Sequence, residues 1–363
     1  MRMVKAEADP PYGVEGFYFV PSPFWLGTEF AKHTARANEL MMKKLIEKKP
    51  ADVPIIANCL GLGDLPETWV DGAKRWEELG AELIEINVSC PIALGLGGSV
   101  DNFFQKRFPP LFQGALIGDH PDLVEEITRQ VVNAVKVPVG VKLSPETGFP
   151  RIVGLAKTIR DAGAKFVHVF NAAVGIAPPD IYNRGKPSWP FMDGSPFCMA
   201  SGSFLRVPCY RDVAAIARYV PGIDIAAAGG LVSPRHCVEV MMLGATLTQL
   251  CTGVIEQGRS LIRQSDEFIR KFMVEQGYQR VEEIIGLGQQ YIKNNEDVDM
   301  MAGKTVIEID YERCTKCARC LDNVCTALYS DKGRISIYPD RCAGCGGCII
   351  ACQSDAIRIV LRE

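Results

Sequence analysis

The chain has 363 residues, 47% of them hydrophobic and 23% charged, a composition that excludes a disordered chain and leaves ample apolar material for a large core. At roughly 150 residues per domain the length fits two domains, or one large barrel with an appendage. The formal net charge of -3 offers no electrostatic footprint for nucleic acid.

The opening MRMVKAEADPPYG lacks the apolar core of a secretory signal, and no stretch reaches 18 consecutive apolar residues. The expectation is therefore a cytoplasmic protein away from membranes, in which metal rather than disulfide bonds accounts for the 14 cysteines. Residues Gly13–Leu26 read as extended and aromatic, and Thr28–Lys48 as a helix. From Pro54 onward, short β-branched runs alternate with longer amphipathic ones. Strands are expected at Pro54–Leu60, Glu82–Ser89, Val137–Leu143, Phe166–Asn171, Ile223–Gly229 and Thr246–Thr252. Helices are expected at Pro66–Leu79, Leu123–Val135, Ile152–Ala162 and Val213–Tyr219. This alternation implies a parallel sheet with helical crossovers, and strands so uniformly apolar are covered on both faces.

Gly61-Leu-Gly63 follows a strand but lacks the third glycine of a dinucleotide-binding turn. Polar or reactive residues recur instead at the C-terminal strand ends: Asn58, Asn87 with Cys90, Lys142, Asn171, Gly229-Gly230 and Thr252-Gly253. A (β/α)8 barrel places its active site there, with phosphate held by the loops after its last two strands. Glycines in those loops leave backbone N–H groups open to a phosphate. The fold class expected is thus α/β, a (β/α)8 TIM-type barrel. Only six βα units are recognisable, so its first units are lacking.

The tail carries Cys314-Thr-Lys-Cys317-Ala-Arg-Cys320 and then Cys325, followed by Cys342-Ala-Gly-Cys345-Gly-Gly-Cys348 and then Cys352. Two tandem C-x2-C-x2-C runs, each with a fourth cysteine, match the bacterial two-cluster ferredoxin arrangement. In that arrangement the fourth ligand comes from the other run. Cys314, Cys317, Cys320 and Cys352 would hold one [4Fe-4S] cluster; Cys342, Cys345, Cys348 and Cys325 would hold the other. The strand-like flanks Val306–Ile309 and Arg334–Tyr338 fit such a 2[4Fe-4S] ferredoxin-like domain. The first run has four residues before its fourth cysteine where three are usual, and neither fourth cysteine precedes proline. A pair of zinc sites is the alternative. The expected organisation is an N-terminal segment (1–53), a barrel (54–292), a linker (293–304) and a two-cluster domain (305–363).

From about Pro54 to Val360 the chain resembles the class 1 dihydroorotate dehydrogenases, and more closely the iron–sulfur dihydropyrimidine dehydrogenases. The most specific piece is Glu85-Ile-Asn87-Val-Ser89-Cys90-Pro91, similar to the family's N-x-S-C-P active-site turn. Val141-Lys142-Leu143-Ser144-Pro145, Asn171, Ser201-Gly202, the AAAGGL run and Cys251-Thr252-Gly253 follow in the family's order. The resemblance implies FMN across the barrel mouth, with Lys142 near the flavin N1/O2 edge. Ser201, Gly202, Gly229, Gly230, Thr252 and Gly253 would bind the cofactor. It implies Asn87, Ser89 and Asn171 at the substrate, and Cys90 as the proton-transfer residue, a thiol that titrates near 8.5 when unperturbed. Cys59, Cys198, Cys209 and Cys237 read as packing, as does Cys251.

The implied reaction moves a hydride and a proton onto, or off, a C=C conjugated to a carbonyl. Electrons would pass through the clusters to an NAD(P)H- and FAD-containing partner subunit or a ferredoxin, in a homo- or hetero-oligomer. Two substitutions depart from the pyrimidine pattern: Ile92 and Ala172 stand where polar residues are usual, so a less polar enone is an alternative substrate. A second alternative is a non-catalytic electron-transfer subunit on a degenerate barrel.

Overall fold

The computed structural model describes residues 2–7, 14–19, 25–28, 35–61, 65–89, 117–187, 197–293, 304–322 and 325–362. They fall into two compact units, Met1–Tyr291 and Ile292–Glu363.

The larger unit begins with three strands, β1 (Arg2–Glu7), β2 (Val14–Phe19) and β3 (Trp25–Thr28), followed by helix α1 (Ala35–Lys48). The helix expected from Thr28 therefore forms only from Ala35 within the described residues. The backbone of Thr28 is already committed to a sheet, paired with Gly16 of β2. Next come β4 (Ile56–Cys59), α2 (Pro66–Glu78), β5 (Leu83–Asn87), α3 (Pro121–Ala134), β6 (Val139–Lys142), α4 (Arg151–Asp161) and β7 (Phe166–Val169). After β7 the chain forms β8 (Ala173–Ile176), the two-residue pair β9 (Pro179–Asp180) and β10 (Lys186–Pro187), and β11 (Phe197–Ser201). It closes with α5 (Arg206–Tyr219), β12 (Asp224–Ala227), α6 (Pro234–Met242), β13 (Leu247–Thr248), α7 (Thr252–Gln257) and α8 (Ser260–Gln276).

The helices start where the chain chemistry puts them. Pro66, Pro121 and Pro234 each occupy the first turn, where a missing N–H costs no intrahelical bond. The same tolerance lets α5 begin at Arg206 and run through Pro208, seven residues before the expected Val213. The last expected strand, Thr246–Thr252, shrinks to Leu247–Thr248, because Thr252 is already the first residue of α7.

The six strands expected from the alternating pattern form one sheet in the order β13-β12-β7-β6-β5-β4. Every adjacent pair is parallel. Spatial order follows chain order without reversal, as in a curled barrel wall rather than a doubly wound sheet. Ile84 and Ile86 of β5 are fully buried with Trp69 of α2, Ile127 of α3 and Ile152 and Ile159 of α4 in one continuous core. A second sheet, β1-β2-β3-β11-β8, is wholly antiparallel and ties the N-terminal strands to the segment after β7. No helix among the described residues is long and apolar enough to cross a membrane.

The smaller unit pairs β14 (Thr305–Ile309) with β17 (Ile357–Leu361) and β15 (Leu328–Asp331) with β16 (Arg334–Ile337), both antiparallel. A short helix, α9 (Gly347–Ala351), precedes β17. Ile307, Ile309, Leu328, Ile335 and Ile357 bury themselves together with Cys320 and Cys348.

One packing detail governs the barrel wall. A Cβ at Gly140 on β6 would fall inside the Phe166 ring of β7, its register partner. Gly140→Ala is expected to lower unfolding free energy by about 1–3 kcal/mol through overpacking. Pairing it with Phe166→Leu should recover part of the loss, measured by urea denaturation.

Candidate functional site

In a parallel strand alternate side chains face the same way, so in-register polar residues on adjacent strands meet. Asn58 on β4 is paired with Glu85 on β5, Asn87 with Lys142 on β6, and Lys142 with His168 on β7. The result is a polar row inside an apolar sheet. Glu85 is 4% exposed, Asn87 6%, and His168 1%.

The hydrogen bonds of this row run in one direction, and a backbone group sets it. The Ser89 N–H donates to Asn87 Oδ1 (3.2 Å), and an N–H can only donate, so the orientation of the Asn87 amide is fixed. Asn87 Nδ2 then donates to Asn58 Oδ1 (3.1 Å), and Asn58 Nδ2 to Glu85 Oε1 (2.7 Å). The other Glu85 oxygen, Oε2, lies 2.7 Å from His168 Nδ1. Burial alone would raise the Glu85 carboxyl. The His168 ring, Lys142 and the Asn58 amide outweigh it and hold the group below the usual carboxylate range. Burial pushes the His168 imidazole down; Glu85 opposes this and Lys142 adds to it. Glu85 is thus ionised and His168 neutral near pH 7, its ring proton held on Nδ1 and donated to Glu85 Oε2.

At the C-terminal strand ends lies a cavity of about 350 Å³. Its walls include Lys142, His168, Asn171, Ser201, Gly229, Gly230 and Thr252, with Leu205, Leu231, Leu250 and Ile255 as apolar cover. Ser201 Oγ and Thr252 Oγ1 are 3.0 Å apart, so two hydroxyls share one corner. Gly229 and Gly230 have φ of 116° and 70°, left-handed conformations that glycine alone adopts readily. A Cβ at Gly230 would lie 2.6 Å from the Arg206 backbone nitrogen and 2.9 Å from the Gly202 carbonyl oxygen. A Cβ at Gly253 would lie 2.8 Å from the Leu231 carbonyl oxygen. Three loops therefore approach backbone to backbone around this corner.

The expected substrate residues are brought together, in unequal ways. Asn171 Nδ2 reaches the Ser89 carbonyl (3.2 Å) and Asn87 Oδ1 (3.4 Å), and its own Oδ1 accepts from Ala172 N–H (2.8 Å). Asn171 lines the cavity, whereas Asn87 spends its amide on Asn58, Ser89 and Asn171. Cys90 lies outside the described residues, as does Ile92. Cys59, Cys209 and Cys237 are buried, and burial pushes each thiol up, Cys59 to about 12, so they carry no thiolate. Cys251 is exposed and lines the cavity. Sequence reasoning gave Glu85 and His168 no role. The available signal was a titratable residue, Glu85 or His168, inside each of two largely apolar runs, ELIEINVS and FVHVFN.

In the smaller unit the eight tail cysteines sort four and four. Cys314, Cys317, Cys320 and Cys352 line one cavity. Cys325, Cys342, Cys345 and Cys348 line another. The two runs share one backbone shape: φ is positive at Lys316 and Ala318 in the first, and at Gly344 and Gly346 in the second. These are the same two positions counted from the first cysteine of each run. Such alternation aims N–H groups into a concavity that favours anions. Gly344 N–H donates to Cys342 Sγ (3.4 Å), and Ala356 N–H to Cys352 Sγ (3.3 Å).

A parallel barrel wall with a polar cavity at its C-terminal strand ends is the architecture of a barrel-type α/β enzyme. The family model for dihydroorotate dehydrogenase matches residues 109–273, and that for dihydrouridine synthase residues 30–170. The chain is 32% identical over 244 residues to the catalytic subunit of dihydroorotate dehydrogenase B (NAD(+)) of Pyrococcus furiosus, covering 67% of this chain and 72% of that one. It is 25% identical over 295 residues to the NAD-dependent dihydropyrimidine dehydrogenase subunit PreA of Escherichia coli. That match covers 80% of this chain but 66% of the Escherichia coli protein, just under two thirds of its length. The chain belongs to the dihydroorotate dehydrogenase family.

Two outcomes follow from the geometry. Both depressed groups bind protons more readily in the unfolded chain, so the protein loses stability as pH falls: first from about 6.5, where an unfolded histidine protonates, then from about 4.5. His168→Gln should remove part of the first loss and, because the His168 ring is a main cause of the low Glu85 carboxyl, shrink the second as well, read as thermal midpoint against pH. In the tail, Gly344→Ala meets both a left-handed φ and the side chain and backbone of Thr305. It is expected to destabilise by about 1–3 kcal/mol, while Ala318→Gly is tolerated, both read by denaturant unfolding.

Proposed function

We propose that this chain is an FMN- and iron–sulfur-dependent oxidoreductase of the dihydropyrimidine or dihydroorotate dehydrogenase type, acting on a C=C, or the corresponding CH–CH, conjugated to a carbonyl. The observation that carries this reading is the strand-end cavity, which joins Lys142 and Asn171 to a glycine-rich corner on one continuous wall. The chemistry of that wall fits FMN. Positive-φ glycines and two paired hydroxyls suit a phosphate, a cation and an unpartnered buried ring nitrogen suit a polar heterocycle, and leucine and isoleucine cover suits its apolar edge.

When bound, FMN supplies transfer of a hydride equivalent and release of electrons one at a time. The residues around it divide the remaining work. Ser201, Gly202, Gly229, Gly230, Thr252 and Gly253 would hold the phosphate. Lys142 would place a positive charge where negative charge develops. Asn171, steadied by Asn87 and Ser89, would offer donor and acceptor atoms to a carbonyl–amide edge. Cys90 would give or take the proton on the substrate face away from the flavin. Leu205, Leu231, Leu250 and Ile255 would keep water out. Residues 54–292 would form the FMN-binding barrel, its wall the six parallel strands, with an N-terminal segment over residues 1–53 ahead of it.

The tail beyond a linker at 293–304 is proposed as a two-cluster domain over residues 305–363. The four-and-four sorting of the cysteines, with Cys352 and Cys325 each joining the other run, supports two [4Fe-4S] clusters. The two C-x2-C-x2-C runs, each completed by a cysteine from the other run, favour cubanes over zinc. The Escherichia coli and Pyrococcus furiosus proteins are both called subunits. Those names support an assembly with a partner subunit; we propose a cytoplasmic one in which that partner is NAD(P)H- and FAD-containing, or in which a ferredoxin exchanges the electrons.

Anaerobic purification tests the reading: one FMN and about eight irons per chain are expected from one flavin and two cubanes. Irons without flavin would instead indicate an electron-transfer subunit. Cys90→Ala is expected to abolish turnover of dihydropyrimidines, dihydroorotate or cyclic enones with flavin and iron content unchanged; full turnover would remove Cys90 from the chemistry.

A further inference from the structure

The hydrogen-bond row ends in one unused valence. Every polar atom from Ser89 to His168 Nδ1 has a partner, but His168 Nε2 is buried and has none among the described residues. The ring lies on the cavity wall beside Lys142. A buried nitrogen without a partner is costly unless something in the cavity meets it. With the Nδ1 proton committed to Glu85, a neutral ring presents a lone pair at Nε2, a proton acceptor.

The charges around it give that lone pair a use. Glu85 on β5 and Lys142 on β6 are the charged groups that act on His168; its register partner on β12, Ala226, is apolar. One carboxylate and one ammonium leave the site close to neutral. A negative charge entering the cavity would meet Lys142, whose charge Glu85 already balances, and would leave a desolvated place net negative. Resting on the reading of the cavity as a flavin site, we propose that His168 is a redox-linked proton acceptor: its Nε2 takes a proton from solvent when the bound flavin is reduced and returns it on oxidation. The balance closes. Two electrons and one proton enter the flavin ring as a hydride equivalent, leaving it one negative charge. One further proton enters the imidazole, leaving it one positive charge. Glu85, held by Asn58, Asn87 and Ser89, positions the ring and stabilises the imidazolium that forms.

Spectroelectrochemical titration of the FMN-loaded full chain against pH tests this directly. Wild type should take up two protons per two electrons and His168→Gln one. The midpoint potential should then fall with pH twice as steeply in wild type between about pH 6 and 8, where imidazole changes charge. FMN bound in both proteins with equal slopes overturns the inference and leaves the flavin reading standing. A chain that binds no FMN overturns both. If His168→Gln does not fold, nitrogen NMR of ¹⁵N-histidine-labelled wild type decides instead. With four histidines in the chain, the His168 signals are assigned by replacing His33, His120 and His236 in turn. Nε2 is expected to change from a bare to a protonated nitrogen when dithionite reduces the bound FMN, and an unchanged Nε2 overturns the inference.

Discussion

The contact between Glu85 and His168 spans three strands, joining β5 to β7 across β6. It is possible because β6 presents glycine, Gly140, opposite Glu85 in the register. A carboxylate and an imidazole at this depth must be paired, since removing either partner strands the other at a cost of about 3–5 kcal/mol. That constraint fixes the register of the barrel wall. A one-residue slip would turn Glu85 and His168 toward the helices and Ile84 and Ile86 toward the cavity.

The same constraint reaches the cavity through a chain of hydrogen bonds. The Ser89 backbone N–H orients Asn87, Asn87 orients Asn58, and Asn58 holds Glu85 as an acceptor. What arrives at the cavity wall is a neutral imidazole of defined tautomer beside Lys142, on strands that cannot shift relative to each other. The glycine corner works by the opposite principle. There the side chains are absent, so backbone groups of three loops can gather where a phosphate needs them.

Much of this was legible from residue order. The strands at 54–60, 82–89, 137–143 and 166–171 contain β4 to β7, because buried parallel strands are apolar and bounded by helix-starting prolines or by glycines. The strand-end residues Lys142, Asn171, Gly229, Gly230 and Thr252 reach one cavity because a parallel sheet collects its C-terminal ends on one side. The pairing of Glu85 with His168 was not legible. It depends on register between strands 83 residues apart in the chain, and no local pattern encodes that distance. The N-terminal antiparallel sheet escaped for the same reason, since β3 pairs with β11 far downstream. The shortening of β13 reflects competition, as Thr252 satisfies a helix rather than a strand.

The tail shows how a repeated backbone tolerates different residues. Its two cysteine runs take the same left-handed positions, with glycine at both in one and with Lys316 and Ala318 in the other. The central claim, however, concerns the strand ends, where the glycine corner is assigned to the phosphate of FMN. The most direct measurement is the ratio of affinities for FMN and for riboflavin, which lacks that phosphate, by flavin fluorescence titration of the full chain. The account predicts that FMN binds at least about tenfold more tightly, a difference of about 1.4 kcal/mol, and that Gly230→Ala erases most of the ratio. Riboflavin binding as tightly as FMN to the wild-type chain would contradict it.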